Sequence, residues 1–293
     1  MNWLITGGSG QLALCLAESL KRVGESYLTL SRKELDISSS NSIPKIEDLV
    51  PGIIVNCAAY TSVDKAESEP DLAFATNSLG SKNVALAARN LKIPLIHIST
   101  DYVFSGEGSV PWTINSPTQP STIYGKSKLA GEQEINAVYP EGSFILRTAW
   151  LYSASGTNFA KSILRKAIEG VTELKVVSDQ IGQPTSAKEL ADQIVDLSKT
   201  NATPGTFHVT NSGQASWYEF AREIFTLNGF DPNRIISIPS DDYKSLAQRP
   251  KFSVLDGSSW NNLALPRMSH WKTALGKVIP KIREQVEREA RIG

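Results

Sequence analysis

The sequence WLITGGSGQLA occupies residues 3–13 and decides the fold. Its first residues are apolar or β-branched and predict a short buried strand, and residues 11–23 carry apolar side chains at helical spacing. Gly7 permits the tight turn between the two elements, and Gly10 lets an anion approach the N–H groups that open a helix. This unit predicts a dinucleotide site, and the residues expected to bind the cofactor are Gly7, Gly10, Gln11 and Leu12.

Strand-like and helix-like segments alternate as far as about residue 150. The predicted strands cover residues 3–6, 27–30, 52–57 and 93–98, a further strand begins at 144–146, and the predicted helices lie in 11–23, 71–91 and 121–136. Near-continuous apolar strands between amphipathic helices are typical of a parallel sheet that is covered on both faces. Right-handed crossovers then give an α/β, doubly wound fold, with ligands at the carboxyl ends of the strands.

The pattern loosens after Arg147, although residues 187–198 and 207–209 still read as a helix and a strand of the sheet domain. The remaining segments have shorter elements with scattered Trp, Pro and Gly. We expect a cofactor-binding domain of residues 1–150 and about 178–212, and a smaller C-terminal substrate-binding lobe of about 151–177 and 213–293. A cleft between the two would hold the substrate.

Composition excludes several classes of function. Thirty basic and 30 acidic residues give a formal net charge of zero, which argues against nucleic acid and against an anionic membrane as partners. No apolar run reaches the length of a bilayer span, and no signal-peptide pattern precedes the first strand. Cys15 and Cys57 are far apart and form no CxxC pair, so we expect reduced thiols, no metal site and a cytoplasmic location.

The end of the second predicted strand indicates which nicotinamide cofactor is used. An NAD-selective site usually has an acidic residue there for the ribose 2′-hydroxyl, whereas this chain has Ser31 and Arg32, which suit a 2′-phosphate. The sequence therefore favours NADPH and leaves NADH possible. Further contacts are expected beside the adenine and where small residues after the third strand approach the ribose and diphosphate; these residues are Asp36, Ile37, Ala58, Ala59 and Tyr60.

Three side chains suggest carbonyl chemistry. Thr100 ends the fourth predicted strand and can donate to a carbonyl oxygen, while Tyr124 and Lys128 lie one helical turn apart. A lysine ammonium about 5 Å from a phenol, at an effective dielectric of about 20, stabilises the phenolate by roughly 3 kcal/mol. We therefore expect the pKa of Tyr124 to be lowered by about 2 units, to a value suited to a general acid.

Longer stretches carry a family resemblance. They are NCAAYTSVDKAESEP at 56–70, STDYVFSG at 99–106, YGKSKLAGE at 124–132, RTAWLY at 147–152 and DQIGQPT at 179–185. With the glycine turn, they make the chain similar to the dTDP-4-dehydrorhamnose reductases, a family of the extended short-chain dehydrogenase/reductases. The resemblance implies a Rossmann-type fold and hydride transfer from NADPH to the C4 ketone of dTDP-4-dehydro-β-L-rhamnose.

The resemblance also implies roles for individual residues. The catalytic group would be Thr100, Tyr124 and Lys128. Tyr124 and Lys128 would also bind the cofactor, Lys128 at the nicotinamide ribose. The residues implied to bind the dTDP-sugar are Thr100, Asp101, Tyr102, Trp150 and Arg249. Arg249 would pair with the diphosphate, and Trp150 would offer an apolar platform to the deoxysugar.

Alternatives remain open at this point. A 4,6-dehydratase generally needs Asp-Glu after the threonine, and this chain has Asp101-Tyr102. Another sugar-nucleotide reductase or an epimerase would use the same Thr, Tyr and Lys, and a non-catalytic NADP-binding regulatory subunit is a further possibility. Some relatives form metal-linked dimers through a glutamate in the first helix; because Cys15 stands there, we expect a monomer or a weak homodimer.

Overall fold

The computed structural model describes residues 2–292. Its main sheet has six parallel strands in the order β10-β5-β4-β3-β1-β2. These strands are β1 Asn2–Thr6, β2 Ser26–Leu30, β3 Ile53–Asn56, β4 Leu95–Thr100, β5 Ser143–Thr148 and β10 Gly205–His208. The predicted α/β, Rossmann-type doubly wound sheet is confirmed.

Helices cover both faces of this sheet. They are α1 Gln11–Arg22, α2 Ser42–Asp48, α3 Val63–Ala66, α4 Pro70–Phe74, α5 Gly80–Leu91, α6 Ile123–Val138 and α8 Ala187–Leu197. α1 and α8 pack on one face, in a core with β1 and β3, and α5 packs with α2 and α6 on the other. Strand β1 pairs with β2 on one side and with β3 on the other, so the order in which strands are added to the sheet reverses between β1 and β3. Ligands of doubly wound sheets bind beyond the strand ends at such a point.

The remaining elements build a second core. They are β6 Leu151–Tyr152, α7 Phe159–Ile168, β7 Leu174–Val177, β8 Ile181–Gly182, β9 Thr185–Ser186, β11 Ala215–Ser216, α9 Trp217–Leu227, β12 Ile235–Ile238 and α11 Trp271–Ile292. Its centre is aromatic, with Phe220 buried against Tyr152, Phe159 and Trp271.

One segment of the predicted lobe packs elsewhere. Trp260, in the short helix α10 Ser258–Asn261, is buried in the first core. Its ring meets Phe207 of β10 edge-on, and its indole N–H donates to Gln193 at 2.7 Å. The stretch that contains α10 is therefore attached to the sheet domain. None of the helices described between residues 2 and 292 is both long and apolar enough to cross a bilayer.

Candidate active site

A cavity of about 750 Å³ lies at the carboxyl ends of β1, β3 and β4 and extends to the second core. The predicted site residues that line it are Gly7, Gly10, Gln11, Leu12, Arg32, Asp36, Ile37, Ala58, Ala59, Tyr60, Thr100, Asp101, Tyr102, Tyr124, Lys128, Trp150 and Arg249. Residues from at least six separate segments of the chain thus meet around one space. Ser31 is the member of the predicted set that does not line it.

The glycine turn has the geometry that a diphosphate needs. Gly7 has φ +67°, and a Cβ there would lie 2.7 Å from the backbone N and Cα of Ala58. No side chain caps the N-terminus of α1, where Gly10 is the N-cap residue. Backbone N–H groups at an uncapped helix start are suitable donors for phosphate oxygens. The residues present therefore fit a nicotinamide dinucleotide.

The adenine end differs from the sequence-based expectation at Ser31. Its N–H and its hydroxyl both donate to the same Glu34 carboxylate oxygen, at 2.8 and 2.7 Å, so the two donors serve a local turn. Both Ser31 donors are therefore occupied by Glu34 in this structure. Arg32 does line the cavity, is largely exposed and lies 3.7 Å from Asp36. The guanidinium is therefore the cation available at this end of the site.

A π-helical turn supports the loop after β3. Residues Ala75–Leu79 form this turn between α4 and α5, and Asn77 is fully buried within it. Its side chain accepts the Tyr60 N–H at 2.8 Å, and its amide donates to the Tyr60 carbonyl at 3.1 Å and to Ser127 at 2.9 Å. Asn77 therefore fixes the backbone of the Ala58–Tyr60 loop against α6.

Thr100 and Asp101 lie together at the end of β4. The Thr100 hydroxyl donates to Asp101 at 2.9 Å, and both residues are buried. Burial raises the pKa of Asp101 to about 6, although hydrogen bonds from its neighbours oppose the shift. Tyr102 follows, and its ring meets that of Tyr124 edge-on with 5.4 Å between centroids.

Helix α6 presents Tyr124 and Lys128 to the cavity. Thr122 caps the helix by accepting the Gly125 N–H at 3.0 Å. Gly125 allows α6 to approach the turn that follows β4, since a Cβ there would lie 2.2 Å from the Tyr102 carbonyl oxygen. Lys128 is buried, and its Nζ donates to the Ile98 carbonyl at 2.6 Å. The first turns of α6 are therefore held firmly against the end of the sheet.

The expected pKa of Tyr124 is wrong for this structure. Burial raises the pKa of Tyr124 above its ordinary value, with the Thr100 hydroxyl opposing the shift, and burial lowers the pKa of Lys128 to about 8. Desolvation of both groups outweighs the attraction between the ammonium and the phenolate here. Tyr124 consequently holds its proton at neutral pH.

A buried ion pair anchors the next turn of α6. Glu132 accepts from Arg147 of β5 at 2.6 Å and also accepts the hydroxyl proton of Ser99 in β4. Both charged side chains are less than one-tenth exposed. The pair links α6 to two central strands, one turn beyond Lys128, and so helps to fix the position of that lysine.

Sequence reasoning missed Trp217, which lines the cavity from the start of α9. Its indole stacks on that of Trp150, with centroids 3.4 Å apart and planes within 5° of parallel. One face of Trp150 is therefore covered and is not a platform for a sugar. A capping box between Ser216 and Glu219 marks the start of α9 in the sequence, but no local signal shows that this helix reaches the cavity.

Arg249 reaches the cavity with a partner already in place. Its guanidinium lies 2.7 Å from Asp64 Oδ2, and Asp64 Oδ1 accepts the Ala247 N–H at 3.2 Å. The ion pair joins the segment at residues 247–249 to α3, and the guanidinium also interacts with the Tyr102 side chain. Gly156 and Thr157 also line the cavity and were not predicted.

Comparison with known proteins agrees with this geometry. The chain matches the family described as "RmlD substrate binding domain" over residues 1–284. A dTDP-4-dehydrorhamnose reductase of Streptomyces griseus is 41% identical over 285 residues, which cover 96% of this chain and 93% of that protein.

Solved structures give the same result. A dTDP-4-dehydrorhamnose reductase from Clostridium acetobutylicum is 38% identical with a TM-score of 0.90, and the match covers 96% of this chain and 99% of that one. The enzyme from Bacillus anthracis, solved in complex with NADP, is 36% identical with a TM-score of 0.91 and the same coverage. By sequence and by fold, the chain belongs to the RmlD substrate binding domain family.

Proposed function

We propose that this protein is an NADPH-dependent reductase that converts the C4 ketone of dTDP-4-dehydro-β-L-rhamnose to the alcohol of dTDP-β-L-rhamnose. The observation that carries the proposal is the meeting of Thr100, Tyr124 and Lys128 in one cavity with an uncapped glycine turn. The names of the similar proteins, and the NADP bound to one of them, support the same substrate and cofactor.

The side chains divide the work as follows. NADPH, held by the glycine turn and Arg32, supplies the hydride when bound. When substrate binds, the Thr100 hydroxyl turns away from Asp101 and donates its hydrogen bond to the ketone oxygen, and Tyr124 transfers its proton to that oxygen as negative charge develops there. Lys128, when charged, stabilises the phenolate that Tyr124 becomes.

The substrate contacts belong to the same proposal. Arg249 pairs with the diphosphate, with its guanidinium positioned by Asp64 and Tyr102. Tyr102 and Asp101 line the sugar end of the cavity, together with the edge of the Trp150–Trp217 stack. We place the reaction in the cytoplasm, where nucleotide sugars and NADPH are used, and expect a monomer or a weak homodimer.

One assay tests the reaction. Purified protein is mixed with NADPH and the 4-keto sugar nucleotide, loss of nicotinamide absorbance is followed, and the product is identified by NMR. We expect stoichiometric NADPH oxidation and a product with the rhamnose configuration. dTDP-4-keto-6-deoxy-D-glucose is the matched comparison, since one similar protein is named a reductase of that sugar. Binding of NADPH without turnover of either ketone would refute the proposal and favour a regulatory subunit.

A further inference from the structure

A chain of buried polar side chains runs behind the cavity, through the middle of the sheet. It joins Thr6 of β1, Asn56 of β3, His97 of β4 and Lys128 of α6, and none of these residues is more than 2% exposed. Thr6 Oγ1 lies 2.6 Å from Asn56 Oδ1, Asn56 Nδ2 lies 3.1 Å from His97 Nδ1, and His97 Nε2 lies 3.4 Å from Lys128 Nζ. Thr6, Asn56 and His97 lie outside the cavity lining.

The hydrogen bonds of this polar series all run in one direction, from Thr6 toward Lys128. The Ala58 N–H donates to Thr6 Oγ1 at 3.4 Å, so the Thr6 hydroxyl proton is directed to Asn56 Oδ1. The Asn56 amide then turns its N–H toward His97 Nδ1, which must accept. Burial holds the pKa of His97 well below its ordinary value, so the ring is neutral. A neutral imidazole has one N–H, and here it is on Nε2.

The Nε2 proton faces Lys128. An uncharged amine has a lone pair that can accept this proton while one of its own N–H groups donates to the Ile98 carbonyl. An ammonium has three donors and no acceptor, so it would meet the Nε2–H proton to proton. The chain of hydrogen bonds therefore favours the uncharged amine of Lys128.

We propose that Thr6, Asn56 and His97 are positioning residues that fix the imidazole proton on Nε2 and thereby set the pH at which Lys128 becomes charged. The consequence for catalysis rests on the function proposed above. Because charged Lys128 stabilises the phenolate, kcat/KM falls as Lys128 loses its proton with rising pH.

The other groups that face Lys128 do not compete in this pH range. Glu132 is held by Arg147, and burial raises the pKa of the Cys57 thiol to about 12. The pKa of Tyr124 is raised as well, so the phenol stays protonated. Burial lowers the pKa of Lys128 to about 8, so the decline of kcat/KM on the alkaline side should report this lysine.

The first experiment is nitrogen NMR of the wild-type protein labelled with ¹⁵N-histidine. We expect His97 to be the neutral tautomer with its proton on Nε2, and the variant His97→Gln identifies its signals by their disappearance. A proton on Nδ1 overturns the proposal. This measurement needs no substrate and no turnover, so its outcome is independent of whether the protein reduces the proposed sugar.

The second experiment removes the Thr6 hydroxyl, which fixes the orientation of the Asn56 amide. Thr6→Val deletes the hydroxyl at nearly constant volume, so Asn56 is free to rotate its amide. Asn56 Oδ1 can then accept a proton carried on His97 Nδ1, which leaves His97 Nε2 free to accept from the Lys128 ammonium. We expect the His97 proton to move to Nδ1 and the alkaline limb of kcat/KM to rise by about one pH unit. Thr6→Ser keeps the hydroxyl and should match the wild type in both measurements.

Calorimetric titration with NADP⁺ checks that the neighbouring glycine turn is intact in each variant. If Thr6→Val does not fold, Asn56→Asp offers an acceptor to Nδ1–H and should give the same tautomer and a shift in the same direction. An unchanged tautomer together with an unchanged alkaline limb in the folded variant overturns the proposal.

Discussion

Tyr124 lies on the first turn of α6, where its ring meets Tyr102 and its hydroxyl lies near Thr100. Burial raises its pKa, and in the proposed reaction the phenol keeps its proton until the ketone oxygen becomes a stronger base during hydride transfer. Lys128 then matters for the state after proton donation, when a buried phenolate has to be stabilised. In the proposed reaction the two residues therefore act at different moments of the same step.

Tyr124→Phe removes the proton donor and keeps the ring. We expect kcat to fall by about 10² to 10⁴, the usual contribution of a positioned general acid, with little change in NADP⁺ affinity. Steady-state kinetics and calorimetric titration measure the two quantities. Turnover close to the wild-type rate would remove Tyr124 from the acid role.

The Asp101 carboxyl gives a pH-dependent stability. Its pKa is about 6 in the folded protein against 3.8 as the reference value, so between these values the folded state binds more protons than the unfolded chain. The free energy of unfolding therefore falls as the pH rises through this range, by an amount of the order of 2–3 kcal/mol. Asp101→Asn should not show this loss.

Urea unfolding at pH 4 and at pH 7 provides the measurement. From pH 4 to pH 7 the free energy of unfolding of Asp101→Asn is expected to rise relative to that of the wild type. Asp48→Asn, at an exposed position, should follow the wild type. Parallel behaviour of wild type and Asp101→Asn would show that the carboxyl is not responsible.

The sequence identified most of the residues that line the cavity, because strand ends and the helix after β4 could be located from periodicity. It could not assign what each side chain contacts. Ser31 has the right position for a 2′-phosphate, but its donors are used by Glu34, and the pKa of Tyr124 depends on burial that only the folded chain defines. Trp217 lines the cavity because it stacks on Trp150, which lies 67 positions earlier in the sequence.

The π-helical turn at Ala75–Leu79 shows how one irregular segment can support a site. An extra residue in a helical turn changes the direction of the side chains around it, and here it brings Asn77 to the Tyr60 backbone. The close approach of α6 depends on Gly131, where a Cβ would lie 2.1 Å from the Asn77 carbonyl oxygen. Asn77 thus contacts both α6 and the Ala58–Tyr60 loop.

Asn77→Ala removes three hydrogen bonds and leaves buried partners on Tyr60 and Ser127. We expect a loss of about 2–4 kcal/mol in the free energy of unfolding and about tenfold weaker NADP⁺ binding, because the Tyr60 loop loses its support. Urea unfolding and calorimetry give the two numbers. Asn90→Ala, which removes one exposed hydrogen bond to Glu47, is the matched control and should change neither. Unaltered NADP⁺ affinity in Asn77→Ala would separate this turn from the site.

The predicted elements agree with the observed ones to within one or two residues at most ends. The predicted strand at 93–98 is observed as Leu95–Thr100, since Lys92 ends α5 in a left-handed conformation and Pro94 follows before the strand can pair. The long helix predicted over 71–91 contains the π-helical turn, which hydrophobic periodicity cannot distinguish from continuous α-helix.

The molecule as a whole has two hydrophobic cores that meet at the cavity. Trp150 follows β5 of the sheet, Trp217 opens α9 of the second core, and their stacked rings join the two parts. Contacts of this kind between distant segments cannot be read from local patterns. For the same reason the sequence did not indicate that Trp260 packs on the sheet domain.

Trp217→Leu tests the junction. Stacked aromatic pairs contribute about 1 kcal/mol beyond their buried area, so we expect KM for the sugar nucleotide to rise several-fold, to about tenfold, with NADP⁺ affinity unchanged. Near-UV circular dichroism should lose the signal of the coupled indoles. Tyr218→Leu changes the next residue, which lies outside the cavity lining, and should leave KM unchanged. Equal KM values for Trp217→Leu and wild type would show that the stack does not shape the sugar end.

Trp150 has φ +44°, a conformation that residues other than glycine rarely adopt, and Gly182 packs so closely on its ring that a Cβ would lie 2.5 Å away. Position 150 is therefore a poor starting point for laboratory evolution toward other keto sugars, since a β-branched replacement would add backbone strain of about 1–3 kcal/mol. Libraries that retain this tryptophan and vary position 217 should yield more folded catalysts with altered acceptor range.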